Sequence, residues 1–317
     1  GEAPSAARAL LLQRRIDGGG QGAAIGRRAG RGRGAGSQAE AGDAGAGRAA
    51  QAAAGARKGQ GQHGRKVYRP ARPRTPPWPG AQPIIGPSMN LLAFDTSTDT
   101  LSIAVLHGAL VCEHHGPGGA QASATLIPAI RALLAQAGLS FERLDAVVFG
   151  RGPGSFTGLR TACSVAQGLA FGARGGQGVP VLPVDTLLAV AEEARAAHGC
   201  TRVVAALDAR MDEVYTAPFE WRPDATAAAG GHWRAPQDFG LCAPEAVEVP
   251  AGWTLAGNAR AAYGARLAPG APHVQALPTA TALLRLAPAL LAAGCAVRAD
   301  AALPRYIRDK VAQTTAE

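Results

Sequence analysis

Short apolar runs separated by polar turns organise the chain from Met89 onward. Residues 90–95 have a buried-strand pattern, and residues 101–106 and 109–113 follow after turns, which predicts a strand and a returning hairpin. Further strands are predicted over residues 145–149, 179–184, 202–207, 213–219 and 255–258. Helical stretches separate several of these strands, so the pattern indicates an α/β fold.

Two of the predicted helices carry apolar stripes. In residues 122–137, apolar side chains recur every three or four positions, and Gly138 is suited to end the helix. The helix over residues 159–173 has small residues on one side, which let a second helix approach closely, either within this chain or from a partner. Two more helices are predicted over residues 186–197 and 279–293.

Positive charge is concentrated at the start of the chain. Residues 1–88 contain 15 of the 32 lysine and arginine residues and 4 of the 23 acidic residues, a net charge of +11. Residues 89–317 carry a net charge of −2. The total of +9 therefore does not indicate that the folded part binds nucleic acid.

Residues 1–88 are predicted to be a disordered extension. Residues 18–64 consist almost wholly of Gly, Ala, Arg and Gln, and residues 65–87 are rich in proline, so neither part can bury enough apolar surface to order its backbone. Three interpretations stay open: a basic RNA-binding arm, an organelle transit peptide, or an upstream extension without function. Irregular arginine spacing disfavours the first and scarce serine the second. We favour the third, with translation beginning at Met89, because Met89 is one of only two methionines and the strand pattern begins at the next residue.

The most informative segment is a glycine-rich loop that leads into the second helix. Glycine permits unusual backbone angles, serine and threonine cap helix starts, and such a loop at a helix N-terminus can hold an anion. The loop lacks the Walker A pattern. The polar turn after the first strand can also hold a phosphate, although its hydroxyls and carboxylate can equally stabilise the turn itself. The candidate nucleotide or anion contacts are Asp95, Thr96, Ser97, Gly152, Gly154, Ser155, Thr157 and Gly158.

The sequence gives little support for an independent catalytic centre. The seven histidines include no pair spaced i, i+4, so a helical metal site is unsupported. The five cysteines include no Cys-x-x-Cys, which favours free thiols in a reducing compartment. Asp208 and Asp212 are interpreted as parts of a turn rather than as paired catalytic carboxylates. No apolar run reaches the length of a membrane span. We therefore predict no catalytic residue, no metal site and a cytoplasmic location.

Four segments together resemble one protein family. They are Phe94-Asp-Thr-Ser97, Gly150-Arg-Gly-Pro-Gly-Ser-Phe-Thr-Gly-Leu-Arg160, Asp208-Ala-Arg-Met-Asp-Glu-Val-Tyr215 and Pro304-Arg-Tyr-Ile-Arg-Asp-Lys-Val-Ala312. Each is weak alone, but the combination is specific and resembles the bacterial TsaB family, also called YeaZ, of the tRNA threonylcarbamoyladenosine pathway. The resemblance covers residues 89–317 and none of the first 88.

The resemblance implies an actin-like ATPase (ASKHA) fold of two ribonuclease-H-like lobes, an N-terminal lobe over residues 89–198 and a C-terminal lobe over residues 199–317. It implies a scaffold subunit that is not an enzyme on its own. This subunit forms a heterodimer with TsaD and supports threonylcarbamoyl transfer to the tRNA adenosine next to the anticodon. TsaE is a further implied partner, and tRNA is reached indirectly through the complex. Whether the chain forms a homodimer without TsaD stays open. No intrinsic cofactor is implied, and the partner interface is a candidate site for ATP or ADP.

The resemblance also assigns the partner surface to the two helices with apolar stripes. The residues predicted for that surface are Leu126, Ile130, Leu133, Ala162, Val165, Ala166 and Leu169. The alternative function is an independent small-molecule kinase or ATPase of the same fold that uses Asp95 and the glycine-rich loop. A protease is disfavoured because no nucleophile lies beside a base, and direct tRNA binding is disfavoured by the charge of −2.

Overall fold

A computed structural model describes residues 89–225 and 230–308 of the chain. The predictions for residues 1–88 fall outside the described residues, as does the end of the predicted C-terminal lobe. Within the described ranges, none of the helices has the length and apolar character needed to cross a membrane. All five cysteines are free thiols, as the sequence predicts.

The first half of the described part forms a mixed sheet of five strands. The strands are β1 (Asn90–Asp95), β2 (Thr100–His107), β3 (Leu110–Pro117), β4 (Ala146–Gly152) and β5 (Val181–Asp185). Their order is β3-β2-β1-β4-β5, with antiparallel pairing on the β2 side of β1 and parallel pairing on the β4 side. Two helices, α1 (Ala122–Ala137) and α2 (Phe156–Gly172), cover one face of this sheet.

The second half repeats this arrangement. Its strands are β6 (Arg202–Asp208), β7 (Val214–Pro223), β8 (Gly231–Arg234), β9 (Gly240–Cys242), β10 (Thr254–Gly257) and β11 (His273–Val274). The order β8-β7-β6-β10-β11 has the same two antiparallel and two parallel pairings, and β9 lies beside β7. The repeated topology confirms the predicted fold of two ribonuclease-H-like lobes.

The two sheets share one core. Helices α3 (Thr186–His198) and α5 (Ala280–Ala292) contribute to it, and the short α4 (Ala259–Tyr263) lies on the outer side of the second sheet. Alternate side chains of β1 face opposite sides: Leu91 and Ala93 enter the shared core, whereas Leu92 and Phe94 pack beneath α1 and α2. Helix α5 packs on the first sheet although it comes from the second half of the chain, so the lobes are tied together.

The helix ends follow the predicted chemistry. Gly138 adopts the left-handed conformation, with φ of 62°, that ends α1. The Ser155 hydroxyl accepts a hydrogen bond from the Gly158 amide, so α2 begins at Phe156, three residues before the predicted start. The Thr279 hydroxyl likewise caps α5, and that helix continues through Pro288 as predicted.

Candidate functional site

The turn after β1 and the glycine-rich loop before α2 lie in direct contact. The Thr96 hydroxyl donates to the Gly158 carbonyl oxygen at 2.7 Å, and the Ser155 amide donates to the Ser97 carbonyl oxygen at 2.7 Å. A Cβ on Gly158 would lie 1.9 Å from the Thr96 carbonyl oxygen, and one on Gly154 would lie 2.5 Å from that of Ser97. These two glycines therefore allow the loop backbone to press against the turn.

Asp95 is enclosed at the end of β1. Its side chain is fully buried, and its Oδ1 accepts hydrogen bonds from the Ser97 amide at 2.8 Å and from the Ser97 hydroxyl at 2.6 Å. Its Oδ2 has no hydrogen-bond partner, and a Cβ on Gly150 would lie 1.7 Å from this oxygen. Burial raises the pKa of Asp95 to about 6, although the hydrogen bonds from Ser97 act in the opposite direction.

This carboxyl is expected to make the stability of the fold depend on pH. Between about pH 4 and pH 6 the unfolded chain loses this proton and the folded chain retains it, so the free energy of unfolding falls as the pH rises through that window. The shift from 3.8 to about 6 corresponds to roughly 3 kcal/mol. The free energy of unfolding of Asp95→Asn, measured relative to that of the parent protein, should therefore rise by about this amount between pH 4 and pH 7.

Urea unfolding at both pH values measures this difference. The matched control is Asp300→Asn, which alters a carboxylate whose side chain is 71% exposed. Parallel pH curves for Asp95→Asn and the parent protein would contradict the assignment.

A cavity of about 560 Å³ opens between the two lobes beside this turn. It is lined by the turn after β1, the start of α2, the loop between β6 and β7, and Arg308. Of the eight predicted anion contacts, the structure places four in its wall, which are Ser97, Gly154, Ser155 and Thr157. The other four are absent from the cavity lining, and among them Asp95, Thr96 and Gly158 are buried where turn and loop meet.

The loop between β6 and β7 forms the opposite wall. Arg210, Met211 and Asp212 have φ values of 59°, 55° and 61°, an unusual run of three left-handed residues without glycine. Arg210 pairs with Asp99 at 2.7 Å across the two lobes. Hydrogen bonds from Arg266 lower the pKa of Asp212. These contacts confirm the interpretation of Asp212 as part of a turn.

Residues 302–308 form a strap across the glycine-rich loop. The Arg305 amide donates to the Arg151 carbonyl oxygen at 2.7 Å, and a Cβ on Gly152 would lie 2.6 Å from the Arg305 carbonyl oxygen. The Arg305 guanidinium pairs with Asp238 at 2.9 Å. These contacts fix Arg305 against the loop, while Leu303 and Tyr306 of the same strap are 65% and 45% exposed.

The apolar stripes of α1 and α2 face the first sheet. Leu126, Ile130, Leu133, Ala162 and Ala166 are at most 4% exposed and belong to the core beneath the helices. Val165 and Leu169 are partly buried against the same core. The first five side chains are covered by the chain's own sheet, which corrects the prediction that they form the partner surface, whereas Val165 and Leu169 stay predicted contacts. The periodicity that identifies a helix marks the side that it buries.

The opposite sides of α1 and α2 are exposed and carry apolar and small residues. We call this surface the outer helix face and define it by Ile127, Ser164, Gly168, Phe171 and Gly172. The side chain of Phe171 is 74% exposed and that of Ile127 is 44% exposed. A Cβ on Gly168 or Gly172 would have no neighbour within 4 Å. The sequence signal that could have found this surface is an aromatic residue that lies off the apolar stripe.

The described part of the chain holds no group of three or more side chains placed to bind a metal ion. Its two repeated mixed sheets define a two-lobed protein of the actin-like ATPase class. A family model described as TsaD, tRNA N6-adenosine threonylcarbamoyltransferase, matches residues 117–240.

Similarity to known proteins extends over nearly all of the organised part. The chain is 34% identical over 230 residues to the tRNA threonylcarbamoyladenosine biosynthesis protein TsaB of Escherichia coli. This alignment covers 71% of this chain and 96% of that protein. It is 44% identical over 128 residues to TsaB of Haemophilus influenzae, which covers 40% of this chain and 52% of that protein. The solved structure of YeaZ from Pseudomonas aeruginosa has a TM-score of 0.61 at 39% identity, covering 69% of this chain and 100% of that one. The chain belongs to the TsaB (YeaZ) family.

Proposed function

We propose that the chain acts in tRNA threonylcarbamoyladenosine biosynthesis as a partner subunit that pairs with a TsaD homologue and has no transferase activity of its own. The observation that carries this proposal is the match along 96% of E. coli TsaB at 34% identity. The proposal includes a TsaE homologue as a second partner, tRNA contact through the complex, a cytoplasmic location, and ATP or ADP bound only at the partner interface.

The outer helix face supports a pairing role. A phenylalanine that is 74% exposed costs free energy in water, and its burial against a partner recovers that energy. The unfilled space around Gly168 and Gly172 lets a second helix approach the α2 backbone closely. Aromatic anchors of this kind supply much of the affinity in protein interfaces. The exposed side of α2 therefore replaces the buried stripe as the proposed pairing surface.

The enclosure of Asp95 supports the absence of independent phosphoryl chemistry. A carboxylate that holds a metal and a nucleotide must reach the cleft, whereas Asp95 is fully buried and its Oδ2 faces Gly150. The glycines of the loop accommodate the chain's own backbone at Thr96, Ser97 and Arg305. The space that a phosphate would need beside Asp95 is filled by the protein itself.

Sedimentation velocity tests the pairing directly. The full chain and the TsaD homologue of the same organism, mixed at equal concentration, are expected to form a one-to-one complex. Independent sedimentation of the two proteins at concentrations far above the cellular range would overturn the proposal.

A small-molecule kinase or ATPase is the second candidate. The observation that favours it is the interlobe cavity of about 560 Å³, which lies at the N-terminus of α2. Calorimetric titration of the full chain with Mg-ATP separates the two candidates. We expect no saturable heat from the chain alone, whereas tight binding without TsaD would favour the kinase.

A further inference from the structure

Arg160 is an exposed arginine in α2 whose guanidinium is held by aromatic rings rather than by a carboxylate. Its Cζ lies 3.8 Å from the centroid of the Phe156 ring, and its Nε donates to the Tyr306 hydroxyl at 3.2 Å. The Tyr306 ring packs in turn on Phe156, with the two centroids 5.2 Å apart. No carboxylate in residues 89–225 and 230–308 forms an ion pair with this guanidinium.

Helix stability does not explain a positive charge at this position. Arg160 is the fifth residue of α2, close to the helix end that carries the positive part of the dipole, and the first turn contains no acidic residue. No acidic side chain one turn earlier is therefore available to pair with this arginine. Nearby arginines are neutralised, since Arg210 pairs with Asp99 and Arg305 pairs with Asp238. The start of α2 therefore keeps a local positive charge.

The contacts around Arg160 prepare it to bind a planar anion. The Phe156 ring lies under Cζ, and the Tyr306 hydroxyl accepts from Nε, so among the described residues the two terminal nitrogens remain for a ligand. A guanidinium donates two parallel hydrogen bonds to a carboxylate, and a side chain that is already ordered loses less entropy on binding. Arg160 precedes Ser164 and Gly168 by four and eight residues, so it lies on the same side of α2 as the outer helix face.

We propose that Arg160, held by Phe156 and Tyr306, binds an aspartate or glutamate side chain of the partner protein at the cleft end of the outer helix face. The inference rests on the proposed pairing function and assigns it a charged anchor. A protein carboxylate is favoured over a nucleic-acid phosphate because residues 89–317 carry a net charge of −2, which disfavours a polyanion. The proposal also predicts that the strap formed by residues 302–308 belongs to the pairing surface, because Tyr306 holds Arg160.

Calorimetry with the full chain and the TsaD homologue tests the proposal. Arg160→Lys keeps the charge but removes the planar fork, and we expect it to weaken the affinity about tenfold. Tyr306→Phe removes only the hydroxyl that orients Arg160, and about a threefold loss is expected. The control is Arg222→Lys, because Arg222 is also exposed but lies on β7 and pairs with Glu220. Melting curves establish whether each variant is folded. If Arg160→Lys is not folded, the affinity of Tyr306→Phe tests the proposal.

The outcomes separate this inference from the function beneath it. If the parent chain binds TsaD and both variants bind within twofold of it, the carboxylate anchor is wrong while the pairing function stands. If the parent chain does not bind TsaD, both proposals fail. If Arg160→Lys leaves TsaD binding unchanged but reduces tRNA binding by the full chain, the ligand is a phosphate and the inference is overturned.

Discussion

Replacement of Gly158 by alanine is expected to destabilise the fold by at least about 3 kcal/mol. The new Cβ would lie 1.9 Å from the Thr96 carbonyl oxygen, which is a backbone atom in a buried turn and cannot rotate away. Relief of this overlap would separate α2 from the end of β1 and break the hydrogen bond from the Thr96 hydroxyl to the Gly158 carbonyl oxygen. Guanidinium unfolding followed by circular dichroism measures the loss.

Gly168→Ala is the matched control on the same helix. A Cβ at Gly168 has no neighbour within 4 Å, so this change should stabilise the protein by about 0.5–1 kcal/mol through helix propensity. The two substitutions therefore have opposite expected signs. Equal tolerance of both would contradict the close contact between the glycine-rich loop and the turn after β1.

Replacement of Phe171 by aspartate is expected to weaken pairing with the TsaD homologue by about 100-fold or more. The change removes an aromatic anchor and places a charge where the partner would exclude water. Because Phe171 is 74% exposed in the chain alone, the melting temperature of the isolated variant should not differ appreciably from that of the parent chain. The measurement is the dissociation constant from calorimetry, paired with a thermal melt of the isolated chain.

Leu110→Asp serves as the control for Phe171→Asp. Leu110 is another exposed hydrophobic residue, 49% exposed, but it lies on the edge strand β3 rather than on the outer helix face. We expect pairing within twofold of the parent value. An unchanged dissociation constant for Phe171→Asp would exclude the outer helix face as the pairing surface.

Local patterns in the sequence predict the helices and strands of this fold, because burial recurs every second residue in a strand and every third or fourth residue in a helix. β1 alternates sides between Leu92 and Ala93, and α1 buries Leu126, Ile130 and Leu133 at helical spacing. End signals such as Gly138 and Thr279 also act within a few residues. The pairing of β1 with β4 joins residues that are distant in the sequence, and no local pattern contains it.

The site depended on contacts that no local pattern contains. The sequence predicts that Gly152, Gly154 and Gly158 contact an anion. It cannot show that backbone carbonyl groups of the same chain occupy the space beside them. Arg305 and Asp238 are 67 residues apart, so no local pattern shows that residues 302–308 pack across the loop. The predicted partner surface is wrong at its five buried residues for a related reason: the stripe that marks a helix is the side that packs on the sheet, and Phe171 lies off that stripe.

Reconstituted transfer tests the central claim most directly. The full chain, the TsaD and TsaE homologues of the same organism, ATP, threonylcarbamoyl-AMP and unmodified tRNA are combined, and modified adenosine is quantified by mass spectrometry of the digested tRNA. We predict modification in the complete mixture, none from the chain alone, and a loss of most product when the chain is omitted. Modification by the chain without TsaD, or full modification without the chain, would contradict its role as a partner subunit.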